Sequence, residues 1–316
     1  MRAGRQTTLR DQTALSGVGV HSGQQVSVTL QPADASTGIR FIRTGLKGRD
    51  REICANIHSV TATEFATVLG DASGPLVSTA EHVLAALRGL GVDNAVVEID
   101  GPEMPIMDGS AAPFVAAIDQ VGVRTLDQPR RYIRVLKPIR AAFGESFGEL
   151  RPYGRGLRVE TEIAFDHPLI GRQKVAFDCT PDVFRRDIAR ARTFGFMRDV
   201  SKLWSAGYAL GASLENTVVI SDARVLNPEG TRYVDEFVRH KALDAIGDLA
   251  LAGMPLLGAY RSVRGGHKLN YAVMSALMAD QSAWTMVEGD AVRPGRGHAD
   301  VAPSLVAAAA YAPDVS

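Results

Sequence analysis

The spacing of apolar and polar positions predicts a chain that mixes strands and helices. Alternation typical of half-buried strands occurs at residues 25–30, 39–42, 96–99, 132–138, 158–165, 174–177 and 218–220. Apolar positions at helical spacing predict helices over residues 78–89, 114–121, 181–190, 197–207 and 235–251. These elements do not follow a regular βαβ order, so we predict an α+β fold in each half of the chain.

The charged segment RTLDQPRR at 124–131 separates the two halves. It contains a proline and lies between a helix-like and a strand-like segment, which is typical of a boundary. We therefore predict a first domain at residues 1–126 and a second at 127–300, followed by an Ala-rich tail at 301–316. The polar stretch 56–77 is expected to be irregular. The length of 316 residues agrees with two domains.

Composition excludes several classes of function. Lys+Arg and Asp+Glu both number 35, so a zero net charge gives no reason to expect nucleic acid or an anionic membrane as partner. The two cysteines, Cys54 and Cys179, are too few for a disulfide framework or a four-cysteine zinc site. No apolar run is long enough for a signal peptide or a membrane span, so we expect a cytoplasmic chain.

The strongest chemical signal lies on the predicted helix at 235–251. With His240 at zero and about 100° per residue, Asp244 lies at roughly 40° and Asp248 at roughly 80°, so all three share one face. The i, i+4 spacing of His240 and Asp244 lets both side chains bind one ion. On spacing alone, however, a solvated polar face is the favoured interpretation, and two ligands are too few for a catalytic zinc.

A further ligand could come from the predicted helix that starts at Ser78, in the sequence STAEHVLAAL. One interpretation is structural, with Glu81 completing a capping box with Ser78. The other is catalytic, with His82 binding a metal and Glu81 accepting a proton from the attacking water. The spacing favours neither interpretation. The helix lacks the HExxH spacing, so a conventional zincin is not expected.

Two glycines precede His267 in the segment RGGHKLN at 264–270. A loop of this kind can bring an imidazole close to a ligand, although on its own a turn with an exposed histidine is the favoured interpretation. The glycine-rich segment GVGVHSG at 17–23 fits neither a Rossmann nor a P-loop pattern. His58 and His298 have no supporting context and are assigned no role.

Taken together, these segments resemble the UDP-3-O-acyl-N-acetylglucosamine deacetylases, the zinc amidases of lipid A biosynthesis. The similar segments are, in the order of that family, GVGVHSG (17–23), STAEHVLAAL (78–87), DNAVVEIDGPEMPIMDGSAAPF (93–114), FDHP (165–168), RARTFGFMRD (190–199), RVLN (224–227), FVRHKALDAIGDL (237–249) and GGHKLN (265–270). They cover residues from about 5 to 300. In combination they are highly specific to the family.

The resemblance implies a metal site made by both halves of the chain. His82, His240 and Asp244 would bind one catalytic Zn²⁺ per chain. Two imidazoles and one carboxylate are also compatible with Fe²⁺ in the cell. The scarcity of cysteine agrees with a site of nitrogen and oxygen ligands.

The resemblance also implies catalytic roles. Glu81 would be the general base, and His267 a neighbouring acid or cationic stabiliser. Asp248 would hold His267 in position and raise its pKa. Thr193 would help to hold the developing oxyanion. Whether His267 or Glu81 protonates the leaving amine stays open.

Contacts to the substrate follow from the same resemblance. Expected contacts to the UDP-sugar or its diphosphate are Lys241, Phe165, His167, Phe194 and Asp199. Expected wall residues of an apolar passage for the acyl chain are Val200, Leu203 and Val219, for which a small structural core is an equally good interpretation. Polar residues nearby leave the preferred acyl length open.

The family fold implies two similar α+β domains packed as a β-α-α-β sandwich, with the active site at their junction. Each domain would carry an insert, one at about 55–77 and a βαβ piece at about 194–223 that forms the acyl passage. We expect a monomer.

The function implied is zinc-dependent hydrolysis of the acetamide of UDP-3-O-(3-hydroxyacyl)-N-acetylglucosamine. The reaction releases acetate and is the committed step of lipid A biosynthesis. One alternative is a zinc amidase of the same fold with another N-acyl substrate. A second is a catalytically silent binding module with a structural zinc, which would not need Glu81 and His267.

Overall fold

The structure is a computed structural model that describes residues 4–46, 51–71 and 73–289. The first half contains β1 (Arg5–Leu9), β2 (Thr13–Val18), β3 (Gln25–Pro32), β4 (Ile39–Arg43), β5 (Glu52–Cys54), β6 (Val60–Ala62), β7 (Val68–Gly70), β8 (Leu76–Val77), α1 (Glu81–Gly89), β9 (Ala95–Ile99), α2 (Ala112–Val121) and β10 (Val123–Pro129). The second half contains β11 (Arg131–Val135), β12 (Ile139–Phe143), β13 (Ser146–Pro152), β14 (Leu157–Ala164), β15 (Arg172–Asp178), α3 (Pro181–Val183), β16 (Phe194–Phe196), α4 (Val200–Ser205), β17 (Val218–Ile220), α5 (Glu236–Leu249), β18 (Leu256–Val263), α6 (His267–Ala279) and β19 (Trp284–Glu288). The predicted tail at 301–316 and the last part of the predicted second domain, 290–300, lie outside the described residues.

The first main sheet has five strands in the order β2-β3-β9-β4-β5. Neighbouring strands are antiparallel except β4 and β9, which are parallel. Val26, Val28 and Leu30 of β3 are buried, while the residues between them are exposed or half-buried. This is the alternation that predicts the strand, and the strands predicted at 25–30, 39–42 and 96–99 are confirmed.

The second main sheet has seven strands, and β18 lies at its centre. β18 pairs antiparallel with β13 and parallel with β11 and β14, while β12, β15 and β19 extend the sheet. The predicted strands at 132–138, 158–165 and 174–177 correspond to β11, β14 and β15. β18 escaped prediction because nearly all of its residues are buried, so its sequence does not alternate.

Three segments differ from the sequence predictions. The stretch 56–77, expected to be irregular, contains the antiparallel sheet β6-β7-β8, whose strands of two or three residues are too short to leave a pattern. The charged segment 124–131 forms most of β10, which pairs with β1. His267 is the first residue of α6 instead of lying in a loop. The domain boundary at residues 126 and 127 stays a prediction.

The predicted helices agree with the structure in position and differ at their ends, whereas the helix α6 was not predicted from the sequence. α1 begins at Glu81, three residues after the predicted start, and α5 lies within the predicted range 235–251. The predicted helix at 181–190 is the short α3 followed by a π-helical turn over Phe184–Ile188. Among the described residues, no helix combines the length and the apolar character that crossing a membrane requires.

Helices α1 and α5 pack against each other between the two main sheets. Leu84 of α1 and Leu243 of α5 share a core with Phe41 of the first sheet, and Leu249 of α5 shares a core with Tyr260 of the second. The fold is therefore α+β with the predicted order of sheet, helices and sheet.

Gly247 permits this close approach of α1 and α5. A Cβ atom at this position would lie 2.1 Å from the carbonyl oxygen of Glu81, a distance that no side chain can accommodate. Glycine is therefore required where α5 crosses the start of α1. The crossing brings the polar residues of the two helices together.

Candidate metal centre and active site

Three side chains from α1 and α5 form a candidate metal centre. His82 lies in the first turn of α1, and His240 and Asp244 lie one turn apart on α5. Oδ1 of Asp244 lies 3.3 Å from Nε2 of His240 and 3.6 Å from Nε2 of His82. Ligand atoms at about 2.0–2.1 Å from a tetrahedral ion are separated by roughly 3.3–3.4 Å, so these three donors fit one ion.

Two buried atoms of this centre have no hydrogen-bond partner among the described residues, Oδ1 of Asp244 and Nδ1 of His82. The other oxygen of Asp244 accepts a bond from Nζ of Lys241 at 2.8 Å. Nδ1 of His240 donates to the carbonyl oxygen of Ala191 at 3.0 Å, which leaves the lone pair of Nε2 available. Because unpartnered buried polar atoms are costly, these open donors fit a divalent cation.

Two of these donors carry the charge state that metal binding requires. Burial lowers the pKa of His240 to about 3, against the opposing effect of Asp244, so the imidazole is neutral at pH 7. Burial opposes the ionisation of Asp244, but the contacts with His240 and Lys241 hold the pKa of its carboxyl well below the ordinary value. Metal ligands must be deprotonated, and these two are.

Beside the metal centre, a chain of buried polar groups links α1, α5 and α6. Nε2 of His267 lies 3.6 Å from Oε1 of Glu81, and Nδ1 of His267 lies 2.8 Å from Oδ2 of Asp248. Asn270 donates to the same Oδ2 at 2.7 Å. The hydroxyl of Thr67 donates to Oδ1 of Asp248 at 2.6 Å, and its backbone N–H donates to Oε2 of Glu81 at 3.1 Å. Thr67 thus holds both carboxylates.

The charges on these buried groups favour a base, Glu81, next to a cationic acid, His267. Burial opposes the charge on His267, yet Asp248 and Glu81 outweigh burial and raise its pKa to about 10. Burial raises the pKa of Glu81 against the attraction of His267. A cation bound at the neighbouring donors would oppose both shifts. Glu81 and His267 are therefore placed to accept and to donate a proton within one site.

The structure excludes two non-catalytic interpretations of the sequence, a solvated polar face on α5 and a capping box at the start of α1. His240, Asp244 and Asp248 are only 2–3% exposed, so the polar face of α5 is not solvated. The hydroxyl of Ser78 donates to Pro102 instead of capping α1, and α1 has no side-chain cap. Glu81 is therefore not part of a capping box.

The metal centre opens into a cavity of about 160 Å³, which Glu81 and His267 also line. Among the residues expected to contact substrate or oxyanion, those that line it are Thr193, Phe194, Leu203 and Lys241. The backbone N–H of Thr193 donates to the carbonyl oxygen of Gly109 at 2.7 Å, which fixes Thr193 at the cavity wall. Nζ of Lys241 lies 5.8 Å from the centre of the Phe194 ring, so a cation and an aromatic face share this side of the cavity.

The remaining residues expected to contact substrate do not line this cavity; they are Phe165, His167, Asp199, Val200 and Val219. The Phe165 ring packs at 5.7 Å against Phe194 and so lies one layer behind the wall. Nε2 of His167 lies 3.1 Å from the carbonyl oxygen of Ser221. Asp199 is exposed, and Val200 begins α4.

Three residues of the site, Thr67, His21 and Phe65, were not predicted from the sequence. His21 and Phe65 line the cavity, and the His21 ring packs edge-on against Tyr208 at 5.4 Å. A histidine among the glycines of GVGVHSG was a usable signal for His21. Thr67 directly precedes β7 in a stretch without any periodic pattern, so the sequence gives no signal for it.

Metal-assisted hydrolysis is the chemistry that this arrangement supports. Three open donors at one point, a carboxylate base and a charged imidazole are the groups needed to activate water and to stabilise the charge that develops when it attacks. The fold and the site therefore define a metal-dependent hydrolase whose centre lies where two helices cross between two sheets.

Comparisons with known proteins identify the family. The sequence model of the UDP-3-O-acyl N-acetylglycosamine deacetylase family matches residues 6–279. Proteins from Brucella ovis and Brucella canis, each named UDP-3-O-acyl-N-acetylglucosamine deacetylase, are 52% identical over 284 residues, which is 90% of this chain and 98% of theirs. A relative of the same name from Brucella melitensis is 51% identical over the same length. The chain belongs to this deacetylase family and is an enzyme that hydrolyses an amide.

Proposed function

We propose that this chain hydrolyses the acetamide of UDP-3-O-(3-hydroxyacyl)-N-acetylglucosamine, releasing acetate and UDP-3-O-acyl-glucosamine in the committed step of lipid A biosynthesis. The observation that carries the proposal is the convergence of His82, His240 and Asp244 beside Glu81 in one cavity. The names of the Brucella relatives supply the substrate.

The proposed metal is one Zn²⁺ per chain, held by His82, His240 and Asp244. Three protein ligands with a free position are typical of catalytic zinc, whereas structural zinc usually has four protein ligands. When bound, zinc lowers the pKa of water and polarises the amide carbonyl. Fe²⁺ suits the same donors, so metal analysis of the purified protein must decide between them.

Glu81 is the proposed general base. Its Oε2 is fixed by the N–H of Thr67, which leaves Oε1 to accept a proton from the attacking water. His267, kept cationic by Asp248, lies 3.6 Å from the same Oε1. His267 and the hydroxyl of Thr193 can then stabilise the developing oxyanion. The leaving amine takes its proton from His267 or from the protonated Glu81.

Substrate binding is proposed to use both polar and apolar parts of the second half of the chain. Lys241 and Phe194 line the cavity and offer a cation and an aromatic face to the sugar diphosphate. Leu203 of α4 lines the same cavity and is placed to contact the acyl chain. β16, α4 and β17 form a βαβ unit with parallel strands, which supports the proposal that this segment is the acyl-binding insert.

Other expected contacts are part of the same proposal. Phe165, His167 and Asp199 would complete the sugar and diphosphate site, and Val200 and Val219 the acyl passage. The division into domains at 1–126 and 127–300 is also proposed. A cytoplasmic location and a monomeric state remain predictions from the sequence.

Substrate turnover with and without metal chelation tests the proposed function. We expect about one zinc per chain, acetate release from the UDP-linked substrate, and loss of that activity after chelation with recovery on adding zinc. Circular dichroism should show that the chelated chain keeps its fold, since a structural zinc would be needed for folding. Full activity in the chelated protein would contradict the metal mechanism. Equal turnover of a nucleotide-free acetylated sugar would favour the alternative amidase.

A further inference from the structure

A buried carboxylate outside the catalytic groups, Glu103, lies beneath the loop that joins β2 and β3 at residues 19–24. Only 3% of Glu103 is exposed. Its Oε1 accepts a hydrogen bond from the backbone N–H of His21 at 2.8 Å, and its Oε2 accepts one from the backbone N–H of Ser22 at 2.8 Å. Two successive backbone N–H groups form a compact binding site for an anion. The carboxylate therefore holds this loop at two points, a contact that we call the Glu103 anchor.

The same loop binds the segment between α4 and β17, which belongs to the proposed acyl-binding insert. The backbone N–H of Leu210 donates to the carbonyl oxygen of His21 at 3.0 Å. The backbone N–H of Gly211 donates to the carbonyl oxygen of Val20, also at 3.0 Å. A Cβ atom at Gly211 would lie 2.2 Å from the carbonyl oxygen of Gly19, so the two backbones approach too closely for a side chain. The insert is therefore docked on the loop by its main chain.

The docked segment also forms part of the wall of the cavity at the metal centre. Ala209 and Ala212 flank the docked residues, and both line this cavity together with Leu203 of α4. The indole N–H of Trp204 donates to the carbonyl oxygen of Ala209 at 3.0 Å, which links α4 to the same segment. The loop therefore fixes the position of this apolar wall, and Glu103 fixes the position of the loop.

Glu103 also contacts the part of the chain that leads into the catalytic helix α1. The hydroxyl of Thr79 donates to Oε1 of Glu103 at 3.3 Å, and Thr79 lines the cavity as well. Thr79 lies two residues before Glu81, with which α1 begins. One carboxylate thus connects the start of the catalytic helix with the loop that carries the insert.

We propose that Glu103 is a positioning residue that holds the apolar wall at a fixed distance from the metal centre and so sets the preference for long over short 3-O-acyl chains. This proposal rests on the proposed function. Each methylene group buried against such a wall strengthens binding roughly fourfold, and a wall that shifts away from the chain loses this gain. A 3-O-acetyl group has only one methyl group and gains little from the wall. Glu103 therefore affects the choice of substrate more than the chemical step.

Kinetics of Glu103→Gln in the zinc-loaded full chain test the proposal. The amide oxygen of glutamine can still accept hydrogen bonds from His21 and Thr79, but its NH₂ group cannot accept one from the N–H of Ser22. Steady-state kinetics would compare two UDP-linked substrates that differ only in a long or an acetyl 3-O-acyl group. We expect kcat/KM for the long chain to fall roughly tenfold, mainly through KM, and kcat/KM for the acetyl substrate to stay within about twofold.

Hydrogen exchange measures the same contact without any turnover. The amides of Leu210 and Gly211 donate to the loop, so we expect both to exchange roughly tenfold faster in Glu103→Gln. Unchanged exchange would overturn the proposal. If the unaltered chain hydrolysed neither substrate, the proposed function would fail, whereas faster exchange in the variant would still show that Glu103 holds the insert.

Glu98→Gln is the matched control, because it removes a half-buried carboxylate from β9. It should leave substrate preference and exchange as in the unaltered chain. Gly211→Ala disturbs the docked contact from the side of the insert and should cause the same selective loss with the long-chain substrate. Glu103→Gln and Gly211→Ala together should lose no more than the larger single change, since both act on one contact.

Three results with these variants would contradict the proposal. Equal losses with both substrates in Glu103→Gln would show a purely structural role. Losses that multiply in the double variant would show that Glu103 and Gly211 act separately. If Glu103→Gln did not fold, Gly211→Ala would decide, because an unchanged substrate preference in that variant would show that docking of the insert does not position the wall.

Discussion

Two buried clusters of charged residues lie along α5, and they differ in whether their hydrogen bonds are complete. At the start of the helix, Glu236 pairs with Arg192, whose Nε, Nη1 and Nη2 bond to Glu236, Glu229 and the carbonyl oxygen of Gly230 at 2.9, 2.6 and 2.7 Å. We call this the structural cluster. One turn later, the cluster at His240 and Asp244 leaves a buried carboxylate oxygen without a partner.

This difference distinguishes the structural cluster, which stabilises the fold, from the metal centre, which can still bind a ligand. Each of the three guanidinium nitrogens of Arg192 donates a hydrogen bond within the chain, so the structural cluster is satisfied without a ligand. The metal centre has the opposite character. Its free nitrogen and oxygen atoms all offer lone pairs to a cation, and their spacings suit one ion. The two clusters are also connected, because the carbonyl oxygen of Ala191, next to Arg192, orients His240.

The largest expected effect is on catalysis and comes from Glu81→Gln. The amide keeps an oxygen to accept the Thr67 N–H but cannot take a proton from water. We expect acetate release to fall roughly 10²- to 10⁴-fold, the usual contribution of a general base. Zinc content and the free energy of unfolding should change little, because the metal ligands and the packing are retained. Steady-state kinetics, metal analysis and urea unfolding measure the three quantities.

Glu229→Gln is the control for this substitution in the structural cluster. Glu229 is 55% exposed, so loss of its bond to Arg192 should cost less than about 1 kcal/mol of unfolding free energy and leave turnover intact. If Glu81→Gln retained half of the activity, Glu81 could not be the base. The proposed difference between a catalytic cluster and a structural cluster would then be contradicted.

The next effect is on stability and comes from Arg192→Ala. This change leaves the fully buried carboxylate of Glu236 without its ion partner, which typically costs about 3–5 kcal/mol. Denaturant unfolding of the chelated chain should show the loss. Replacing both partners, in Arg192→Met with Glu236→Leu, should restore part of that stability because no charge stays buried alone.

The double variant also tests whether the structural cluster supports the metal centre. If it folds well but binds zinc more weakly than the unaltered chain, then Arg192 contributes to holding Ala191 and His240 in place. Equal stability of Arg192→Ala and the unaltered chain would refute the view that this cluster stabilises the fold.

Helical spacing placed His240, Asp244 and Asp248 on one face of α5, but only the resemblance to the deacetylase family assigned them and His82 to one site. The structure brings the four residues together at the crossing of α1 and α5. Periodicity could not show that the crossing exists, because Gly247 and its approach to Glu81 depend on packing between distant segments. The polar face of α5 looks solvated from the sequence, but α1 packs against it and buries it.

The sequence could not predict the parts that depend on short strands or on isolated contacts. Thr67 acts through two hydrogen bonds to residues 14 and 181 positions away. Arg192 looks like any surface arginine in the sequence, yet it is 2% exposed. β18 and β10 lack alternation for opposite reasons, since one is buried on both faces and the other is mostly exposed.

The smallest of the expected effects sharpens the comparison at the edge of the metal centre and comes from Thr67→Val. Valine has nearly the shape of threonine but lacks the hydroxyl that donates to Asp248, while the backbone bond to Glu81 is retained. Asp248 keeps its contacts with His267 and Asn270. Loss of one net hydrogen bond corresponds to about 0.5–1.5 kcal/mol, so we expect kcat to fall roughly twofold to tenfold with little change in KM.

Thr67→Ser supplies the control because it restores the hydroxyl with a smaller side chain. Serine should recover most of the kcat that valine loses, whereas a purely structural role of the threonine methyl group would leave serine impaired and valine normal. If valine left kcat unchanged, Asp248 would hold His267 without help from Thr67. The position of His267 would then depend only on contacts within α5 and α6. The Thr67 variants therefore test whether the active site extends to the β6-β7-β8 sheet.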